Sequence, residues 1–450
     1  MNHSNDLTQG SIWKKLILYA APLVASNVLQ AMYAMVDMIV AGQFIGAGAI
    51  SAITNGSQVM MMATNIIIGL TTGGNILIGQ YFGARDQENC KSTAMTLFSG
   101  GIALGAALTV LMAALSRPFM VLLGAPSLDG ATQYLRICSV GTIFITGYNV
   151  ASVCLRGVGN SRAPMACIIC STVSNVVLDV LFIGPFGWGV AGAAAATVIS
   201  QAISFFVSLR FVLKSPDLFG IRPGHLELHG DKLKLILKLG IPCAVQMSIT
   251  SISWLSVTSV VNAYGVAVSA ASGIAAKIKD LCQLFTIAMS NAAAGMIAQC
   301  IGAQDRPRAR RALYTAMSVS VGLSVILIAA VELFAPAMVG LFTPDAETAL
   351  WAVRNLRIEI LGQLFFACFL LYHALALGAG DTWFMLFSSF VNCILVRVPL
   401  VLWFNAAFSI NGVYWACMIA PFSSVPIGFW YERGGRWMRT VICKPQKNVC

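Results

Sequence analysis

The chain has 450 residues, 58% of them hydrophobic and only 10% charged, with a net charge of +11. Soluble domains do not have this composition; polytopic membrane proteins do. The basic residues sit between apolar stretches, so the positive charge reads as membrane orientation and not as a nucleic-acid surface. The first dozen residues are polar, Lys14 and Lys15 follow, and no small-residue cleavage site ends the first apolar run. No cleavable signal peptide is therefore expected.

Twelve apolar spans are predicted, near 14–42, 46–80, 94–116, 136–156, 163–184, 190–213, 236–262, 267–301, 312–334, 354–377, 383–405 and 411–430. A helix needs about 20 residues to cross a bilayer. Short amphipathic pieces are expected at Pro118–Tyr134, between spans three and four, and at Pro336–Val353, between spans nine and ten. The expected division is a first lobe at 1–213, a cytoplasmic linker at 214–235, a second lobe at 236–430 and a tail at 431–450.

The first span carries Asp37. A carboxylate at mid-membrane costs about 2.5–3.5 kcal/mol on insertion scales and marks function by default. Ser26, Gln30, Tyr33 and Asp37 recur at helical spacing, a polar stripe that faces protein or a wet cavity. Pro22 precedes the stripe, lacks a backbone donor and is a candidate hinge. Met32 here and Met61 in the second span belong to a methionine set suited to a pocket that accepts several shapes. The glycines at 69, 73 and 74 permit close helix packing.

Asn149 in the fourth span is a candidate cavity-lining group. The fifth span repeats the polar pattern with Ser171, Asn175 and Asp179 at i, i+4 and i+8. Asp37, Asp179, amide and hydroxyl oxygens are hard ligands suited to Na⁺. The same two carboxylates buried together would instead hold a proton.

The remaining features read as structural. The thirteen cysteines, Cys167-Ile-Ile-Cys170 included, are small buried helix residues with no redox or metal role expected. His225 and His229 lie in a solvated linker. Lys277, Lys279 and Asp280 crowd one turn of span eight and are expected to pair or snorkel, with a polar site in the second lobe as the alternative. His373 reads as a satisfied bundle residue, and Arg397 is expected to pair locally.

Orientation follows from the basic residues between spans: 21 lie on one side and 4 on the other. That places both termini and the 214–235 linker in the cytoplasm. The chain also repeats itself. Gln80-Tyr-Phe-Gly-Ala-Arg-Asp86 recurs as Gln299-Cys-Ile-Gly-Ala-Gln-Asp305, Leu135-Arg-Ile137 as Leu356-Arg-Ile358, and Gly157-Val-Gly159 as Gly378-Ala-Gly380. Two homologous halves of six spans each follow. An even number per half puts the relating axis along the membrane normal, the geometry of alternating access.

The repeated Gln-x-x-Gly-Ala-x-Asp, the Gly-x-Gly-[Asn/Asp] after spans four and ten, and Arg397-Val-Pro399 resemble the multidrug and toxic compound extrusion (MATE) transporters over about Gly10 to Arg439. That resemblance implies an all-α integral membrane protein of twelve transmembrane helices in two six-helix lobes, arranged as a V. It implies export of organic, often cationic, compounds in exchange for H⁺ or Na⁺. Asp37, Asn175, Asp179, Thr197 and Pro22 match the pattern of the DinF-like branch, where the first four would form the cation site. The NorM-like branch carries an acidic residue in span seven where this chain has Gln246, so Gln246 is expected only to line the substrate cavity with Gln30, Tyr33, Asn149, Met32 and Met61.

The expected function is thus an antiporter for small amphipathic compounds, a monomer in the cytoplasmic (inner) membrane, with no cofactor and no nucleic-acid partner. The alternatives are a lipid-linked oligosaccharide flippase of the same superfamily and a membrane-embedded enzyme. No catalytic cluster supports the enzyme.

Overall fold

The computed structural model describes residues 6–44, 47–122, 127–221, 227–438 and 442; at 33–44, 47–51 and 217 the description is of backbone alone. The described residues form helices α1 (Ile12–Phe44), α2 (Ala47–Gly83), α3 (Gln87–Ala114), α4 (Ser116–Leu122), α5 (Leu128–Gly157), α6 (Arg162–Ile183), α7 (Gly189–Leu213), α8 (Pro216–Phe219) and α9 (Gly230–Asn262). They continue as α10 (Val266–Gly302), α11 (Arg306–Gly340), α12 (Ala346–Ile360), α13 (Gln363–Ala379), α14 (Thr382–Phe390), a π-helical turn (Val391–Arg397), α15 (Val398–Ile419) and α16 (Ser424–Arg433).

The membrane crossings number twelve. Nine separate helical stretches are long and apolar enough to span, and α12 with α13 form a tenth that is bent by 46°. The stretch Thr382–Arg433 runs 52 residues. At 1.5 Å per residue that is roughly 78 Å, more than twice a hydrocarbon core of about 30 Å. It breaks at Ser409, whose φ of 55° and ψ of −147° are not helical, and so supplies two crossings.

Several helices begin earlier than hydropathy predicts. The expected starts at 94 and 312 lie instead at Gln87 and Arg306. The added first turns are polar and capped, so an apolar window omits them while the backbone continues. The amphipathic piece expected at Pro336–Val353 is not one element: Pro336 lies inside α11, and α12 starts at Ala346.

The repeated motifs are helix punctuation. In the first repeat Arg85 takes φ 58° and Asp86 accepts the Asn89 N–H at the start of α3. In the second, Gln304 takes φ 61° and Asp305 accepts the Arg308 N–H at the start of α11. A left-handed residue ends one helix and a carboxylate caps the next. Gly159-Asn160 and Gly380-Asp381 repeat the device: both glycines have positive φ, and the following side chains accept the N–H groups of Ala163 and Phe384.

The chain forms two compact units whose limits do not follow the repeat boundary. One holds Met1–Asp6 and Ala25–Ala244; the other holds Leu7–Val24 and Val245–Cys450. The 214–235 connection expected to divide the lobes therefore lies within the first unit. The limits fall instead inside α1 and α9, each two residues after a proline, Pro22 or Pro242.

In the first unit α5 is central and packs against α2, α3 and α7. Ile53, Tyr134, Cys138, Ile183, Ala193 and Ala194 form one of its apolar clusters. The first half of α9 comes very close to α2: a Cβ at Gly240 would stand 2.6 Å from the Leu70 carbonyl oxygen. Lys232 of α9 donates to Tyr81 Oη at 2.9 Å and to Asn89 Oδ1 at 2.5 Å, beside the motif that joins α2 and α3.

In the second unit α10 is central, against α11, α12 and α13. Its C-terminal half is a run of small buried residues, including Ala292, Ala293, Ala294, Gly295 and Ala298, which lets neighbouring backbones approach. The leading segment of the chain docks here on the repeated motif. Leu7 N–H donates to Gln299 Oε1 at 3.1 Å, and Arg308 Nη2 donates to the Leu7 carbonyl at 3.1 Å. Each repeat's leading segment thus packs against the other repeat's motif.

Candidate functional site

Of the polar face predicted on the fifth span, two members are sealed and Ser171 is half-buried. Asn175 and Asp179 of α6 are both fully buried. The Asn175 amide is not satisfied: neither its Oδ1 nor its Nδ2 has a hydrogen-bond partner among the described residues. A buried amide left in that state costs about 1–3 kcal/mol. Helix α6 is long and apolar enough to cross a membrane. A buried carboxylate and an unsatisfied amide thus stand one turn apart on this helix.

Helix α7 packs against α6 and carries Thr197. Its hydroxyl donates to the Ala193 carbonyl at 3.0 Å, which leaves the oxygen lone pairs to accept or ligate. Asn149 on α5 is half-buried and spends its amide N–H on the Ile145 carbonyl at 2.8 Å. Met32 and Met61 are 55% and 65% exposed, and Gln30 is exposed as well. Asp37 and Tyr33 lie on α1, but their side chains fall outside the described residues. Pro22 lies within α1, buried, at the limit between the units.

In the second unit Gln246 is half-buried and donates from Nε2 to Thr250 Oγ1 at 3.2 Å. The crowded turn of span eight resolves differently from expectation. Lys277 and Asp280 are exposed, while Lys279 turns inward and forms an ion pair with Glu359 of α12. Arg397, expected to pair locally, makes no ion pair among the described residues; it donates to Asn392 Oδ1 at 3.2 Å. Both cations stand over the Trp254 ring, Lys279 Nζ at 4.6 Å and Arg397 Cζ at 4.8 Å from its centroid. Spacing along one helix cannot reveal Glu359 or Trp254 as partners, because they lie on other helices.

His373 is buried and packs against Phe369, ring centroids 4.1 Å apart. Cys167 is buried and Cys170 exposed, both as free thiols. His229 pairs with Glu227 at 3.4 Å, and His225 lies outside the described residues.

The MatE family model matches residues 22–181 and 242–403, one match per repeat. The chain belongs to the MatE family. Its relatives within that family include the probable multidrug resistance proteins YoeA and YpnP of Bacillus subtilis. YoeA is 31% identical over 366 residues, 79% of each chain. YpnP is 27% identical over 436 residues, 96% of this chain and 97% of the relative. The multidrug export protein MepA of Staphylococcus aureus is 23% identical and covers 91% of both chains. A crystal structure of MATE in the straight conformation shares the fold with a TM-score of 0.91 at 23% identity, over 96% of this chain and 98% of that one. The MatE matches begin at Pro22 and Pro242, the two prolines that mark the limits of the compact units.

Proposed function

We propose that this MatE protein is a secondary active exporter of amphipathic, often cationic organic compounds, driven by inward movement of H⁺ or Na⁺. The observation that carries the reading is the sealed pair Asn175 and Asp179 within a membrane-spanning helix. Intramembrane carboxylates default to ion pathways. The names of the relatives support the organic substrate.

In this reading Asp37, Asn175, Asp179 and Thr197 take the coupling ion. Gln30, Tyr33, Asn149, Gln246, Met32 and Met61 line the substrate path. The ion must favour one arrangement of the protein over another, because a ligand shifts an equilibrium only through differential affinity. Pro22 and Pro242 stand where α1 and α9 leave one compact unit for the other, which supports them as the flexing points. One charge moving down 100 mV supplies about 2.3 kcal/mol. The protein acts as a monomer in the cytoplasmic membrane; the distribution of Lys and Arg supports the placing of both termini inside.

Dye efflux from proteoliposomes, with pH and Na⁺ gradients imposed separately, tests this. Efflux driven by one gradient and not by the other supports antiport and names the ion. Unchanged dye over a broad panel, with a lipid-linked sugar accumulating in cells that lack the protein, transfers the assignment to the flippase.

A further inference from the structure

The offset between matched positions of the two repeats grows along the chain, from 219 at Gly83 and Gly302 (302 − 83), and a buried cation sits at its last step. Matched positions differ by 221 at Gly157 and Gly378 (378 − 157), and the ends of the two family matches differ by 222 (403 − 181). Between those points lies the π-helical turn Val391–Arg397, which interrupts the helix formed by α14 and α15. A π turn is what a single inserted residue produces in an α-helix. At its last residue the shift of 222 matches Arg397 to Asn175 (175 + 222). Where the first repeat has a neutral amide beside Asp179, the second has a guanidinium.

That guanidinium is under-used. Arg397 is only 7% exposed. Nη2 reaches Asn392, while Nε and Nη1 have no hydrogen-bond partner among the described residues. Arginine does not shed its proton, so the charge remains. Glu359, the carboxylate in this cluster, pairs with Lys279. Two cations therefore share the Trp254 ring, and one of them has an ion-pair partner. The indole face attracts both but does not neutralise either. Trp254 itself is 37% exposed. A buried charge without an ion-pair partner among the described residues, free donors and an aromatic wall describe a site for an oxyanion.

We propose that Arg397, flanked by Trp254 and Lys279, binds the carboxylate or phosphate oxygens of an amphipathic anion within the second unit. The protein then carries sites of opposite polarity in its two repeats, an acidic one at Asp179 and a basic one at Arg397. A zwitterionic compound, or an anionic lipid headgroup, is the ligand such a site selects.

The reading as an exporter enters only in the choice of probe. The full chain in detergent is titrated with two rhodamines that differ only in a free carboxylate against its ethyl ester, followed by fluorescence anisotropy. Arg397→Gln should weaken the free acid tenfold or more and the ester less than twofold, and Arg397→Lys should recover most of the loss. Equal losses for both probes, or an acid affinity within twofold of the wild type, overturn the proposal. Competition on the wild-type protein gives a second measurement that needs no variant. Lysophosphatidylglycerol or a long-chain carboxylate should displace the acid probe and leave the ester bound, and the stronger competitor identifies the natural source. Displacement of neither probe, or of both equally, overturns the site. Failure of the ester to bind at all counts against the exporter reading instead.

Discussion

Lys279 on α10 and Glu359 on α12 form an ion pair inside the second unit, with side chains 9% and 12% exposed. Such a pair is weak evidence of net stabilisation, because desolvation offsets most of the attraction, but removing one member leaves a buried charge. Lys279→Met alone and Glu359→Leu alone should each cost about 3–5 kcal/mol. The double substitution should recover most of that. Thermal unfolding in detergent of the two single variants and the double variant checks the sign. A double variant as unstable as the sum of the singles would show that the two side chains are not coupled as a pair.

The approach of α9 to α2 makes a second prediction. A Cβ at Gly240 would fall 2.6 Å from the Leu70 carbonyl oxygen, and one at Gly69 would fall 2.5 Å from Ala244 Cα. Both obstacles are backbone, which cannot swing aside. Gly240→Ala and Gly69→Ala should each destabilise the protein by about 1–3 kcal/mol, the usual cost of overpacking. Gly273 on α10 and Gly322 on α11 have open space at the same position. Alanine there should be neutral or stabilising by up to about 1 kcal/mol through helix propensity. Melting temperatures of the four variants would separate packing from propensity.

Ser409 provides a third. Its φ of 55° with ψ of −147° lies in a region that side chains other than glycine rarely occupy, at a cost of about 1–3 kcal/mol. Ser409→Gly should relieve part of this and raise the unfolding midpoint. Ser409→Val, branched at Cβ, should lower it. If both variants melt together, the break between the last two crossings is not set by this residue.

Much of this architecture is legible in the sequence because its signals are local. The repeated Gly-Ala-x-Asp and Gly-x-Gly-[Asn/Asp] motifs are turn and cap chemistry, and Asp86, Asp305, Asn160 and Asp381 perform it within three residues of their own position. The polar face of α6 is legible for the same reason, since Asn175 and Asp179 stand one turn apart. What is not legible is long-range. Lys279 has Lys277 and Asp280 nearby in sequence and chooses Glu359, 80 positions away. The π-helical turn before Val398 is one residue added to an apolar run, which leaves hydropathy unchanged while it alters which side chain follows Asn392 on that face. The compact units escape notice because α1 and α9 are continuous helices that change partners part-way along.

The coupling site yields the last prediction. Asp179 is wholly buried and Asn175 beside it lacks partners among the described residues. If these residues and Asp37 take the ion together, losing either carboxylate removes the whole function. Asp37→Asn and Asp179→Asn should each abolish ion-driven efflux while drug binding in detergent persists. The double variant should be little worse than either single, as residues that act as a unit are not additive. Gln246→Ala, in the second unit and bonded only to its own helix neighbour Thr250 among the contacts described, should reduce efflux far less. Efflux and binding are to be measured on all four at matched expression. Normal efflux by Asp179→Asn, or a Gln246→Ala defect as deep as those of the aspartate variants, would move the seat of coupling out of the first repeat.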